Sequence, residues 1–158
     1  MNQFETLGLH PELLKALAEQ EFTTPTPIQV QSIPAGIAGK DILASAATGS
    51  GKTAAFMLPI LQRLIGKPRG MTKALILAPT RELAAQIVEH TNALSKHTKL
   101  RAVAIYGGVG MKPQEDAFRR GVEIIAATPG RLLDHFERGK LLLTGVQVMV
   151  VDEAVYAY

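Results

Sequence analysis

A chain of 158 residues, 47% hydrophobic and 20% charged, has the length and apolar content for a single folded domain with a sizeable core. It has no cysteine, which excludes disulfides and thiolate metal sites, and its histidines (His10, His90, His97 and His135) show no spacing that would gather them as ligands. A net charge of +3 and a pI near 9.3 suit a polyanionic partner without deciding for one; with no leader-like start and no bilayer-length apolar run, the expectation is a cytoplasmic protein with no membrane partner.

The stretch before Asp41 reads as helical, with Thr26-Pro27 as a cap followed by proline at the first helical position and Gly39 where that helix should stop. Short runs of Val, Ile, Leu and Ala then recur at about residues 42–46, 74–78, 102–106, 122–127 and 146–151. They are continuously apolar rather than alternating, which predicts strands buried on both faces. Helical patterns separate them. Pro59 is expected to kink or end the helix that follows the first run. Leu83, Ala84, Ile87, Val88 and Leu94 make one buried face of a helix over Arg81 to Leu94. Thr128-Pro129 opens another helix, and Gly121 and Gly139 mark helix ends. The alternation predicts an α/β fold, with a largely parallel sheet of about five strands, right-handed crossovers and helices on both faces. No repeat or linker marks a boundary, so residues 1–158 read as one domain, with 1–40 an appended helical element and 41–158 the core.

Between the run at Ile42 to Ala44 and the helical pattern of Ala54, Ala55, Met57, Leu58 and Leu61 lies Ala46-Ala47-Thr48-Gly49-Ser50-Gly51-Lys52-Thr53. That is a phosphate-binding loop in the setting its physics requires: a strand delivers the loop and a helix N-terminus receives the anion. Gly49 and Gly51 let backbone N–H groups turn inward, Lys52 adds a point charge, and the Thr53 hydroxyl suits Mg2+. A second requirement for phosphoryl transfer to water is an acidic pair at the end of a neighbouring strand. Val148-Met149-Val150-Val151 runs directly into Asp152-Glu153, where Asp152 can hold Mg2+ through water and Glu153 can orient the attacking water.

The phosphate loop, then Pro79-Thr80-Arg81-Glu82-Leu83, Gly107-Gly108, Thr128-Pro129-Gly130-Arg131 and Asp152-Glu153-Ala154 follow one another in an order and spacing that resemble the DEAD-box RNA helicases. Phe22 followed by Pro25-Thr26-Pro27-Ile28-Gln29 is similar to that family's adenine-reading segment, with Phe4 an isolated aromatic upstream. The resemblance covers essentially the whole chain. It implies a RecA-like P-loop domain in which residues 1–40 form the adenine-recognition extension. Gln29 would bond the adenine edge, Phe22 would pack on the base, and Ala46 to Thr53 would cradle the phosphates of ATP with Mg2+. An amide carries both a donor and an acceptor for adenine, so ATP is expected over GTP. The resemblance also implies that Thr80, Arg81, Gly107, Gly108, Thr128, Pro129, Gly130 and Arg131 grip an RNA sugar-phosphate backbone. No group in that set reads a base, so binding should be independent of sequence and sensitive to salt.

The sequence departs from the family pattern in places. Val155 stands where the family has a fourth acidic residue, Ala47 where it usually has glutamine, and Glu21 where it usually has glycine beside Phe22. Tyr158 precedes the family's Ser-Ala-Thr segment and its second domain. The resemblance therefore implies a catalytically incomplete chain, with very slow hydrolysis alone and with unpaired sheet edges open to self-association. A stand-alone ATP- or RNA-binding regulatory module is the alternative that Val155 favours. A small-molecule P-loop kinase would explain the loop and leave the other blocks unexplained.

Overall fold

The computed structural model describes residues 3–45, 51–68, 70–139 and 143–152. Two compact units are distinguished, Met1–Lys67 with His90–Leu100, and Pro68–Glu89 with Arg101–Tyr158.

In the first unit a 3-10 helix, Gln3–Leu7, precedes α1 (Pro11–Glu19), α2 (Pro27–Ile37) and α3 (Lys52–Leu64). Thr26 is the N-cap of α2 with Pro27 behind it, as the sequence predicts, and Gly39 follows its end. Leu13, Leu17, Ile33, Met57, Leu58 and Leu61 are wholly buried. Each such side chain contributes about 1.5–3 kcal/mol relative to exposure. Phe4 is buried with them, which gives it a packing role.

Helix α3 does not end at Pro59 but continues through it to Leu64. The ring removes the bond to the carbonyl four residues back and crowds that carbonyl, while its outer face is packed. Pro59 is buried against α2 at Gly36, where an added Cβ would lie 2.7 Å from the Pro59 Cβ.

The second unit holds the sheet. Its strands are β1 (Ala74–Leu77), β2 (Ala102–Ile105), β3 (Ile124–Ala127) and β4 (Val148–Val151), in the order β2-β3-β1-β4, every pairing parallel. Helices α4 (Arg81–Leu94, whose residues from His90 on count with the first unit), α5 (Met111–Arg120) and α6 (Pro129–Glu137) connect them, with Gly121 closing α5 and Gly139 following α6. On one face Leu75, Ile105, Ile125 and Ala127 form a core with Leu132 of α6, Phe118 of α5, Val122, Leu143 and Val146. Ile76, Ile124 and Ala126, of opposite parity, are equally buried, so the central strands β1 and β3 are covered on both sides as their unbroken apolarity predicts, while β4 is not. Ala84, Ile87 and Leu94 of α4 are buried, with Leu83 and Val88 half-buried beside them.

The strand count needs correction: the described sheet has four strands, and the run expected at 42–46 is not one of them. Among the described residues, 42–45 pair with no strand, and Leu43 is 93% exposed; Ala46 lies outside the described residues. Apolarity makes a segment seek burial, but only a neighbouring ladder makes it a strand. The sheet ends at β4, whose Met149 and Val151 share one face and are each 57% exposed. Among the described residues no helix is long and apolar enough to cross a membrane.

Candidate functional site

Of the phosphate loop, Ala46, Ala47, Thr48, Gly49 and Ser50 lie outside the described residues, as do Glu153 and Val155. Gly51 is the N-cap of α3, with Lys52 and Thr53 in its first turn. The first intrahelical bond runs from Ala55 N–H to Gly51 O at 3.1 Å. The N–H groups of the first turn stand at the positive end of the helix, which suits an anion.

Gln29 closes this helix start from the side. Its Oε1 accepts from Thr26 N–H at 2.9 Å, and its Nε2 donates to Gly51 O at 3.1 Å. Gln29 is 5% exposed, and each polar atom of its amide, which has two acceptor and two donor positions in all, makes one of these bonds. Gly51 has φ 81°, and a Cβ there would collide with Gln29 Nε2. Glycine is required at Gly51 both by conformation and by this approach.

The presentation of Phe22 has a local cause. Phe22 N–H bonds Leu17 O at 2.9 Å and Glu21 N–H bonds Ala18 O at 3.0 Å, which ends α1 in a Schellman turn. The residue before Phe22 must then be left-handed, and Glu21 is, with φ 63°. Glutamate thus occupies a position whose backbone favours glycine. Phe22 is 44% exposed, so part of its ring is accessible for stacking.

In the second unit the sheet register gathers the remaining blocks. Leu77, Ile105, Ala127 and Val151 are mutually aligned across the four strands, and each is the last residue of its strand. Pro79-Thr80-Arg81, Gly107-Gly108, Thr128 to Arg131 and Asp152 therefore emerge from one C-terminal edge, where parallel α/β sheets bind ligands. From β2 across β3 to β1 lie the three blocks assigned to a nucleic-acid backbone, and Asp152 stands beyond them on β4.

Several members of this edge have defined partners. Thr80 caps α4, its Oγ1 accepting from Leu83 N–H at 3.1 Å. Arg81 is exposed and lies over the Tyr106 ring, 5.8 Å from its centroid. Gly108 has φ 85°, and a Cβ there would lie 2.6 Å from Arg81 Nη1. Thr128 N–H bonds Ile105 O at 2.9 Å, tying the start of α6 to the end of β2. Gly130 faces open space, with nothing within 4 Å of an added Cβ, so the first turn of α6 can be approached.

Arg131 behaves differently from Arg81. Its side chain is only 14% exposed; Nη1 donates to Val109 O at 2.9 Å and to Gln114 Oε1 at 3.3 Å, and Nε faces Asp134 at 3.8 Å. Gln114 also accepts from His135 Nε2 at 2.7 Å and donates from Nε2 to Tyr106 O at 2.9 Å. Burial, and secondarily the Arg131 charge, holds the His135 pKa below its ordinary value near 6.5. Tyr106, Gln114 and His135 were not assigned to a site from the sequence. The available signal was parity: His135 falls three residues after Leu132, and Gln114 three before Ala117, on the buried faces of their helices.

Asp152 is 94% buried, its N–H bonded to Leu77 O at 2.9 Å. Asp152 offers hard oxygen donors, the chemistry Mg2+ takes when it keeps waters and phosphate oxygens as its other ligands. Among the described residues no trio of His, Cys, Asp or Glu could hold a metal by protein ligands alone.

A helix-flanked parallel sheet with ligand-type loops along its C-terminal edge defines an α/β protein of the nucleotide-binding kind. Residues 26–155 match the DEAD/DEAH box helicase family. The chain is 47% identical over 153 residues to the ATP-dependent RNA helicase DRS1 of Candida albicans, an alignment covering 96% of this chain and 25% of that protein. It is 43% identical over 157 residues to the ATP-dependent RNA helicase SrmB of Haemophilus influenzae, covering 98% and 36%. It is 44% identical over 151 residues to the DEAD-box ATP-dependent RNA helicase RhpA of Helicobacter pylori, covering 96% and 30%. The chain belongs to the DEAD/DEAH box helicase family. It spans between 25% and 36% of the length of these curated relatives.

Proposed function

We propose that this chain is the ATP-holding and RNA-backbone-gripping part of an ATP-dependent RNA helicase, catalytically incomplete alone. The observation that carries the reading is the register of the sheet, which aligns the ends of all four strands and so brings Arg81, Gly107, Gly108, Gly130 and Asp152 to one edge. The names of the relatives quoted above support it.

In this reading Phe22 stacks on adenine and the Gln29 amide meets its edge. The loop from Ala46 to Thr53 cradles the phosphates, with Lys52 as the point charge. Thr53 and Asp152 would hold Mg2+, which when bound neutralises developing phosphate charge. Glu153 orients the attacking water. RNA is gripped through Thr80, Arg81, the turn at Gly107-Gly108 and the start of α6 from Thr128 to Arg131, by N–H groups and charge with no base reader. A regulatory module that binds ATP or RNA without hydrolysis is the second reading, favoured by Val155 in the acidic motif.

The test combines binding and turnover. Lys52→Ala should abolish most affinity for ATP, and Arg81→Ala should lower the salt slope of single-stranded RNA binding by about one. ATP hydrolysis should be negligible with RNA alone and rise when a helicase second domain is added in trans. Unchanged ATP binding in Lys52→Ala would sink the nucleotide assignment, and RNA-stimulated turnover by the chain alone would sink its incompleteness.

A further inference from the structure

Two polar side chains in the second unit, His135 and Arg131, converge on the amide oxygen of a third, Gln114. Gln114 Oε1 receives His135 Nε2 at 2.7 Å and Arg131 Nη1 at 3.3 Å, while Gln114 Nε2 reaches Tyr106 O at 2.9 Å and Arg131 Nη1 reaches Val109 O at 2.9 Å. Gln114 is 5% exposed and His135 0%. Tyr106 O and Val109 O bracket the Gly107-Gly108 turn, and Arg131 and His135 belong to α6. The cluster thus fastens both sides of that turn to the helix beginning at Thr128-Pro129. The His135–Gln114 bond is buried and costly to leave unmade; the bonds from Gln114 to Tyr106 O and from Arg131 to Gln114 are partly buried, and the bond from Arg131 to Val109 O is exposed.

We infer that Gln114 and His135 are positioning residues for the RNA grip: they fix Arg131 as a strut, so that the Gly107-Gly108 turn and the first turn of α6 present one rigid array of N–H donors. This rests on the RNA-backbone reading above. It gives Arg131 a different part from Arg81: Arg81 meets the phosphate, and Arg131 holds the frame.

The bonding also fixes the protonation of His135. Gln114 Oε1 can only accept, so His135 Nε2 carries the proton. His135 Nδ1 is buried with no hydrogen-bond partner among the described residues, so a second proton would have no acceptor. The charges that act on the ring are Arg131, Asp134 and Arg138 on α6 and Glu115 on α5, while Phe118 of α5 meets it edge-on at 4.8 Å. Protonation would add a cation beside Arg131 and loosen the strut. Acidification ordinarily strengthens phosphate binding by adding positive charge, so a loss of RNA affinity on acidification has the opposite sign and marks this device.

The test uses the 158-residue chain and a fluorescein-labelled oligouridine, read by anisotropy. At pH 7.5, Gln114→Leu and His135→Ala should weaken RNA binding about 10-fold or more, as small misplacements of binding groups do. His135→Gln keeps a donor near the Nε2 position and cannot titrate; it should bind within about 3-fold of wild type and lose the wild type's weakening between pH 7 and 5.5. ATP affinity should be unchanged in all of them. Amide hydrogen exchange over residues 107–110 should accelerate in His135→Ala and not in His135→Gln, whether or not RNA is present. Equal RNA affinity of His135→Ala and wild type overturns the inference, and so does a His135→Gln as weak as His135→Ala, because packing alone would then explain both. If the wild type itself binds no RNA, the RNA reading fails, and the exchange data separately decide whether the cluster holds the turn.

Discussion

Gly51 and Gly39 share a left-handed backbone, φ 81° and 83°, but not their surroundings. A Cβ at Gly39 would meet nothing within 4 Å, whereas one at Gly51 would collide with Gln29 Nε2 and lie 3.1 Å from Thr26 Oγ1. Alanine at either position incurs left-handed strain of about 1–2 kcal/mol, offset by about 0.4–1 kcal/mol from a less flexible unfolded chain. Gly39→Ala should therefore cost about 1 kcal/mol. Gly51→Ala should also break the Gln29 to Gly51 hydrogen bond and displace a buried amide, about 2 kcal/mol more, for a total of about 3 kcal/mol. Unfolding entropy of about 2.1 cal/mol/K per residue gives about 0.33 kcal/mol/K for 158 residues. The expected losses in Tm are then about 3 °C for Gly39→Ala and about 9 °C for Gly51→Ala, measured by circular dichroism melts. Repeating the melts with saturating ATP and Mg2+ should leave the ligand-induced rise intact in Gly39→Ala and remove it in Gly51→Ala. Equal losses of Tm, with ligand response retained in both, would refute the description of Gln29 as the side closure of the α3 start.

Glu21→Gly should raise Tm by about 2–3 °C, because it relieves the left-handed strain at the end of α1 at a smaller entropic cost, while Glu21→Ala should not; equal melts for the two variants would contradict this. The depressed pKa of His135 means that the unfolded chain binds a proton that the folded one refuses. That stability is present above about pH 6.5 and is lost as pH falls, so His135→Gln should show a flatter Tm-against-pH curve than wild type below pH 6.5. The exposed Met149 and Val151 on edge strand β4 predict that Val151→Lys lowers the average mass of a concentrated sample by light scattering, and a wild type already monomeric at high concentration would remove the basis for it.

What was legible from residue order is local structure: α3 starts at Gly51-Lys52, Thr128-Pro129 opens α6, and Asp152 directly follows β4, each set by a few neighbouring positions. Gly39, Gly121 and Gly139 fall at helix ends for the same reason, and Glu21 declared itself as a departure whose cost the Schellman turn explains. The helix end allowed for at Pro59 and the strand expected at 42–46 both depend on neighbours: α3 continues through the proline, which packs beside Gly36, and residues 42–45 have no ladder beside them among the described residues.

The sequence by itself determined which chemical groups this protein owns and, through unbroken apolar runs between helical patterns, that a parallel sheet would carry them. Tertiary structure alone decided that Leu77, Ile105, Ala127 and Val151 stand in register, so that blocks separated by more than twenty residues share an edge. It also decided that two arginines in similar motifs differ, Arg81 exposed and Arg131 bonded inward to Gln114 and Val109. The physical reason is common to both: strand register and burial are set by long-range packing, and no local propensity encodes them.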